Sequence, residues 1–165
     1  MLASASGCGK TTVGRALSER LGVAFVELDA LVHRPHWAET PDDVVRAQVA
    51  PIVASEGWVI DGSYRRKLGT LVLDGADTVL WLDLPIRVWL PRLIRRTARR
   101  MRGLEPLWND NRETLRGVLW GRESLFVYAF RSHFRRRRQY PGELARYNVV
   151  RLRSQTAVDR WLASI

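Results

Sequence analysis

Apolar residues recur at Val13, Ala16, Leu17 and Leu21, the spacing of one helix face, and Gly22 stops the run. This predicts a first helix that starts at the glycine-rich stretch around Gly7 and Gly9. Ala24-Phe25-Val26-Glu27-Leu28 reads as a strand that delivers Asp29 at its C-terminal end. Thr40-Pro41-Asp42-Asp43 predicts a helix start, with Thr40 as cap, proline in the first position and acidic residues in the first turn; Pro51 should kink or end that helix. Trp58-Val59-Ile60 and Thr78-Val79-Leu80-Trp81-Leu82 read as short buried strands, the first ending in Asp61-Gly62 and the second in Asp83. A helical pattern from Ile86 to about Met101 carries Arg92, Arg95, Arg96, Arg99 and Arg100, with Pro91 as a local distortion. Gly103 to Asn111 is rich in turn formers, and Arg112 to Arg138 reads as largely helical, weakened at Gly117 and Gly121. Val149-Val150-Arg151-Leu152 predicts a last strand, Ser154 a cap, and Val158, Trp161 and Leu162 the inner face of a final helix.

Strand and helix alternate throughout. That order predicts an α/β fold with a parallel sheet between two helical layers, right-handed crossovers, and ligands at the C-terminal ends of the strands. With 165 residues and no repeat, low-complexity tract or linker, the chain reads as one compact domain spanning 1–165.

Composition changes this picture in two ways. A hydrophobic fraction of 46% is ordinary, but a net charge of +10 calls for an anionic partner: nucleic acid, a membrane surface or small phosphorylated molecules. Lys10 and Lys67 are the only lysines among 27 cationic residues. The skew fits a coding bias toward arginine, and it makes Lys10 conspicuous, since a compact ammonium stands where a phosphate loop needs one. Cys8 is the sole cysteine, which excludes an internal disulfide and suits a reducing compartment. No apolar stretch approaches the roughly 20 residues that cross a bilayer, so the expectation is a cytoplasmic protein with no membrane partner.

The chemistry concentrates at strand ends. Ser6-Gly7-Cys8-Gly9-Lys10-Thr11-Thr12 matches the second half of the pattern Gly, four residues, Gly-Lys-Ser/Thr, with Ser4 at the first glycine position. Gly7 and Gly9 allow backbone N–H groups to turn inward, and the following helix aims its positive end at the same point. On that reading Lys10 holds the β- and γ-phosphates and Thr11 places its hydroxyl on magnesium. The plainer alternative is a glycine turn capping a helix, with Lys10 in solvent. Only three residues precede the loop position Ser4, which suggests an ancestral or natural chain that begins further upstream and a stunted central strand here. Asp61 ends a strand where phosphate-loop enzymes hold a magnesium-bound water; a turn-capping role is the alternative. Asp83 reads as a cap for the helix that follows Pro85. Asp29 is placed to orient and deprotonate an acceptor hydroxyl, or else to form a turn. His33, His36 and Trp37 follow it and suit the lining of an acceptor pocket, with the histidines as ordinary polar residues.

Together, Ser6 to Thr11, Leu28-Asp29, Trp58-Val59-Ile60-Asp61-Gly62, Trp81-Leu82-Asp83-Leu84-Pro85 and Arg151-Leu152-Arg153-Ser154 resemble the bacterial adenylate-kinase-like proteins labelled topology modulation proteins. Their parent group, the nucleoside monophosphate and shikimate kinases, implies a phosphate-loop fold with a five-stranded sheet ordered 2-3-1-4-5 and an arginine-bearing lid, here near 102–140. By this resemblance Arg92 lies against adenine, Arg96 touches phosphate as a catalytic group, Arg153 joins the nucleotide site, and Arg112 is a further lid candidate. A solvated helix face is the alternative for Arg92, Arg96 and Arg112. The sequence departs from adenylate kinases at Ser4 and at Ser63-Tyr64-Arg65, which stands where Pro-Arg follows Asp-Gly-Phe.

Arg135-Arg136-Arg137-Arg138 follows an apolar helical stretch, Leu125 to Phe130. Four adjacent cations cannot share one helix face, so the run reads as a solvated helix C-terminus or as a contact for a polyanion. The leading expectation is an ATP-dependent, Mg2+-requiring phosphotransferase, with Lys10, Asp29 and Arg96 catalytic and a small-molecule phosphate acceptor. The alternative is a nucleotide-binding regulator associated with nucleic acid.

Overall fold

A computed structural model describes residues 1–104 and 124–165. Strands β1 (Leu2–Ser4), β2 (Ala24–Glu27), β3 (Trp58–Asp61), β4 (Val79–Leu82) and β5 (Val149–Leu152) form one parallel sheet in the order β2-β3-β1-β4-β5. The order is the expected one. Pairing is in register at the C-terminal edge, where Ser4 faces Leu82, Leu82 faces Leu152 and Glu27 faces Asp61. The chain runs from β1 to β2 on one side of the sheet and crosses from β3 past β1 to β4 on the other, so the mouth of β1 is the switch point at which such sheets bind ligands. Strand β1 is short, yet Met1 continues its pairing: Leu80 N donates to Met1 O at 2.8 Å and Met1 N to Thr78 O at 2.8 Å.

Helix α1 (Lys10–Leu21) follows β1, α2 (Leu28–Val32) follows β2, and α3 (Asp42–Val53) leads into β3. Helices α4 (Arg65–Leu68) and α5 (Leu71–Asp74) are single turns before β4; α6 (Ile86–Met101), α7 (Leu125–Glu143) and α8 (Gln155–Ala163) complete the described α-helices, and a 3-10 turn, Pro35–Trp37, lies between α2 and α3. Alternating residues of the strands send side chains to two sides. Leu2, Val59, Leu80, Leu82 and Leu152 join one core with Trp89, Leu93, Ala129 and Val158. On the other side Ile60 packs with Leu28, Val32, Val45, Val49 and Leu68, while Ala3 and Val79 meet Leu73 and Leu144. Helix α1 lies unusually close to the sheet: a Cβ on Gly14 would sit 2.3 Å from the Phe25 ring and 2.7 Å from Leu2.

Several local expectations are corrected. Thr40 does not cap α3. Its buried hydroxyl donates to Leu31 O at 2.8 Å and accepts from Arg34 Nε at 3.2 Å, while Pro41 takes the cap position and makes no side-chain bond. Pro51 behaves as expected, since α3 ends two residues later at Val53, whereas α6 runs on through Pro91. The arginine run is not a helix end, because α7 continues through Pro141 to Glu143. Asp83 is not a cap either. It is 3% exposed and accepts from Arg137 Nε at 2.6 Å and Arg151 Nη2 at 2.6 Å, tying α7 and β5 to the end of β4. The Arg151 guanidinium also lies 4.0 Å over the Trp81 ring. Ser154 caps α8 as expected, accepting from Ala157 N at 3.1 Å. Residues 105–123, including Arg112, Gly117 and Gly121, lie outside the described residues, so much of the lid expectation does too. Among the described residues no helix is long and apolar enough to cross a membrane.

Candidate functional site

The loop between β1 and α1 is built by two glycines that no other residue replaces cheaply. Gly7 has φ 81° and Gly9 φ 83°, the left-handed region. Around Gly7 the space is closed as well: an added Cβ would lie 2.8 Å from Trp89 O and 3.1 Å from Leu93 Cβ of α6. Gly9 precedes Lys10 as the backbone cap of α1, and its carbonyl accepts from Val13 N at 3.0 Å. The first amides of α1 have no partner within the helix and open toward the loop, the arrangement that favours a bound anion.

Ser4 resolves simply. It belongs to β1 and has no positive φ, so this backbone does not demand glycine at the position. Its buried hydroxyl donates to Ala5 O at 3.0 Å. Cys8 turns its side chain into the core beside Leu2 and Leu84, and burial pushes its thiol pKa up. Ser6 is half-buried and Thr12 exposed, so of the expected loop set Cys8 has only its backbone to offer a ligand.

Lys10 and Asp61 meet at the mouth of the sheet, Nζ to Oδ1 3.7 Å. Asp61 is raised from an ordinary 3.8 to about 6, chiefly by burial. Asp29 and Glu27 add repulsion, while Lys10 and a hydrogen bond from Thr11 partly offset it. Glu27 is a member of this group that the sequence reading missed, although it ends a strand just before Leu28-Asp29. Glu27 is partly offset by the exposed Arg15, 3.9 Å away, so the three carboxylates face Lys10 and that one arginine.

Asp29 is in the first turn of α2, directly after β2. Its Oδ1 accepts from the Tyr64 hydroxyl at 2.5 Å, and His33 Nε2 lies 3.1 Å from the same hydroxyl. Burial and the Asp29 carboxylate push the Tyr64 phenol well above its usual range. The His33 ring stands edge-on to Trp37, centroids 5.6 Å apart. His36 is exposed. Tyr64 is the other residue that the sequence reading passed over; the signal was present in Asp61-Gly62-Ser63-Tyr64, but its partner is 35 residues away.

On the opposite flank, an Arg92 nitrogen comes within 3.8 Å of the point where a Gly9 Cβ would be, and Nη2 donates to Gln155 Oε1 of α8 at 2.8 Å. Arg96 is one turn further along α6 and half-buried. Arg153 is exposed between β5 and α8, one residue before the Ser154 cap. Arg92 thus joins the loop to α8, and no contact of Arg153 with the loop is seen.

The chain is similar to shikimate kinases over part of its length. The shikimate kinase family model matches residues 6–58, from the loop through α3 to the first residue of β3. A shikimate kinase from Sulfurihydrogenibium sp. is 30% identical over 101 residues, covering 53% of this chain and 61% of that protein. Shikimate kinase 2 of Sodalis glossinidius is 46% identical over 78 residues, 47% of this chain and 40% of that protein. A shikimate kinase of Synechococcus elongatus is 29% identical over 127 residues, 65% and 67% respectively. The chain thus spans 61% and 40% of the length of the first two relatives.

These matches support a phosphate-loop kinase-like family. The matched proteins are shikimate kinases, and the five-stranded order β2-β3-β1-β4-β5 is that of a phosphate-loop fold. The matched segment holds the loop, Lys10, Thr11, Asp29 and His33, and it stops before Asp61 and Tyr64.

Proposed function

We infer that the protein is an ATP-dependent phosphotransferase that moves a phosphoryl group to the hydroxyl of a small molecule. One observation carries this reading: the Asp61 carboxylate sits 3.7 Å from Lys10, with Thr11 and Asp29 close enough to act on its charge. Groups suited to polyphosphate, magnesium and an acceptor hydroxyl are thereby gathered at one strand edge. Similarity to shikimate kinases across residues 6–58 supports it. Within the group, the Trp58–Gly62 and Trp81–Pro85 segments favour the proteins labelled topology modulation proteins.

Magnesium fits the residues present. Thr11 and Asp61 offer hard oxygen donors, and the cost of ionising buried Asp61, to which Asp29 and Glu27 add repulsion, is what a divalent cation would relieve. Among the described residues no group of three or more His, Cys, Asp or Glu could cage a metal. When bound, the ion would supply neutralisation of phosphate charge.

The chain's own residues would act by positioning. The loop amides and Lys10 hold the polyphosphate, Thr11 and Asp61 hold the ion, and Arg92, with Arg96 behind it, borders the nucleotide side. Asp29 takes the acceptor's hydroxyl proton as that oxygen bonds the terminal phosphorus and the bond to the departing ADP breaks. A monophosphate acceptor attacks as an anion and needs no such base, so Asp29 favours a hydroxyl acceptor. The regulator reading loses ground because Arg137 of the basic run is committed to Asp83. Transfer from γ-labelled ATP across a panel of small hydroxy acids, nucleosides and monophosphates, with and without Mg2+, tests the function. Labelled product with a hydroxylated acceptor, Mg2+-dependent and absent in Lys10→Ala, is expected. No product from any acceptor with folded wild type contradicts it.

A further inference from the structure

We propose that Tyr64 and His33 are positioning residues: a directed chain, His33 Nε2–H to Tyr64 Oη–H to Asp29 Oδ1, holds the carboxylate so that Oδ2 meets the acceptor hydroxyl. This rests on the reading of Asp29 as the acceptor's base. The direction follows from counting protons. A carboxylate only accepts, and the phenol owns a single proton, so at 2.5 Å that proton lies toward Oδ1. The phenol oxygen is then an acceptor for His33 Nε2 at 3.1 Å, which requires the tautomer protonated at Nε2.

Backbone conformation supports a selected arrangement. Among the described residues only His36, Trp37 and Tyr64 are non-glycine residues with positive φ, at 61°, 60° and 40°. Tyr64 hydrogen-bonds Asp29 and His33, and Trp37 packs edge-on against His33. A tyrosine is a poor choice for this region, where glycine or asparagine sits more easily, and such outliers persist where surrounding structure holds them. Here Lys67 N and Leu68 N bond Tyr64 O at 2.8 and 2.9 Å, and the ring packs against the core that contains Leu28 and Val32. What tyrosine adds at the position is a hydroxyl aimed at Asp29. Without it, Asp29 can rotate about its carboxyl bond, and orientation of the base is lost while nucleotide binding is untouched.

The test has a structural and a kinetic arm. 15N NMR of the imidazoles at about pH 8, where an ordinary histidine is neutral, should show His33 as the Nε2–H tautomer. An Nδ1–H tautomer overturns the chain. With the acceptor found by the transfer screen, Tyr64→Phe should lower kcat by about tenfold or more, with KM for ATP changed less than about twofold and a cooperative melt that shows the variant folded. His33→Gln, which keeps an N–H donor, should retain more kcat than His33→Leu. If Tyr64→Phe keeps wild-type kcat while Asp29→Asn abolishes transfer, the positioning role is wrong and the kinase reading stands. If wild type phosphorylates nothing, the kinase reading fails, and the His33 tautomer alone decides the hydrogen-bond chain.

Discussion

Replacing Asp61 with asparagine should make the protein more stable and inactive. The folded chain holds the Asp61 proton up to about pH 6, whereas an ordinary aspartate releases it at 3.8. Between those values the folded state binds more protons, so stability falls as pH rises, and above about pH 6 the whole penalty is present. At about 1.4 kcal/mol for each tenfold, keeping Asp61 ionised in the fold costs about 3 kcal/mol. Its side chain is 12% exposed, so solvent screens little of this. Asparagine approximates the neutral acid. At pH 8, without nucleotide or Mg2+, Asp61→Asn should gain about 3 kcal/mol, or about 6–12 °C in Tm for a chain of this size. At pH 5 the gain should shrink to about half, because wild type is by then largely protonated. Urea unfolding of both proteins at the two pH values measures it. A variant less stable than wild type at pH 8, or a gain that does not depend on pH, would refute the idea that ionising buried Asp61 carries a cost that a cation would relieve.

Four other outcomes follow from the same geometry. Wild-type affinity for Mg-ATP should weaken about tenfold between pH 7 and pH 5 as Asp61 takes up its proton, read by calorimetry, while Asp61→Asn shows a weak and flat profile. Gly7→Ala should lose about 2 kcal/mol or more and all nucleotide binding, since its Cβ meets Trp89 O at 2.8 Å and its φ of 81° is unfavourable. Ser4→Gly should cost about 0.5–1 kcal/mol through chain entropy, with nucleotide affinity within about twofold of wild type. Asp83→Ala should cost about 2–3 kcal/mol in urea unfolding, because Arg137 and Arg151 lose their shared carboxylate but can reach water.

The parts of the fold that were legible in the sequence are those fixed by neighbours along the chain. Val149–Leu152 and Trp58–Asp61 are short apolar runs of strand formers, and both strands lie where the pattern puts them. The Ser154 cap acts within three residues and was equally visible. Long-range pairing was not. Asp83 followed by Leu84-Pro85 has the look of a cap, but it binds Arg137 and Arg151 from 54 and 68 residues away, and burial between two guanidinium groups outweighs a bond to an exposed helix end. Thr40 was misread for the same reason: Leu31 O offers its hydroxyl a buried acceptor nine residues back. At the site, the glycine loop and the strand-end acids were readable because strand edge and helix start are local features. The contributions of Tyr64 and Glu27 arise only when β2 and β3 pair side by side.

Titration of folded protein with ATP in the presence and absence of Mg2+, run in parallel on wild type and Lys10→Ala, tests the phosphate-loop site most directly. One saturable site, strengthened by Mg2+ and lost in Lys10→Ala, is the predicted result. Absence of binding heat with wild type, or equal affinity in the lysine variant, would contradict it.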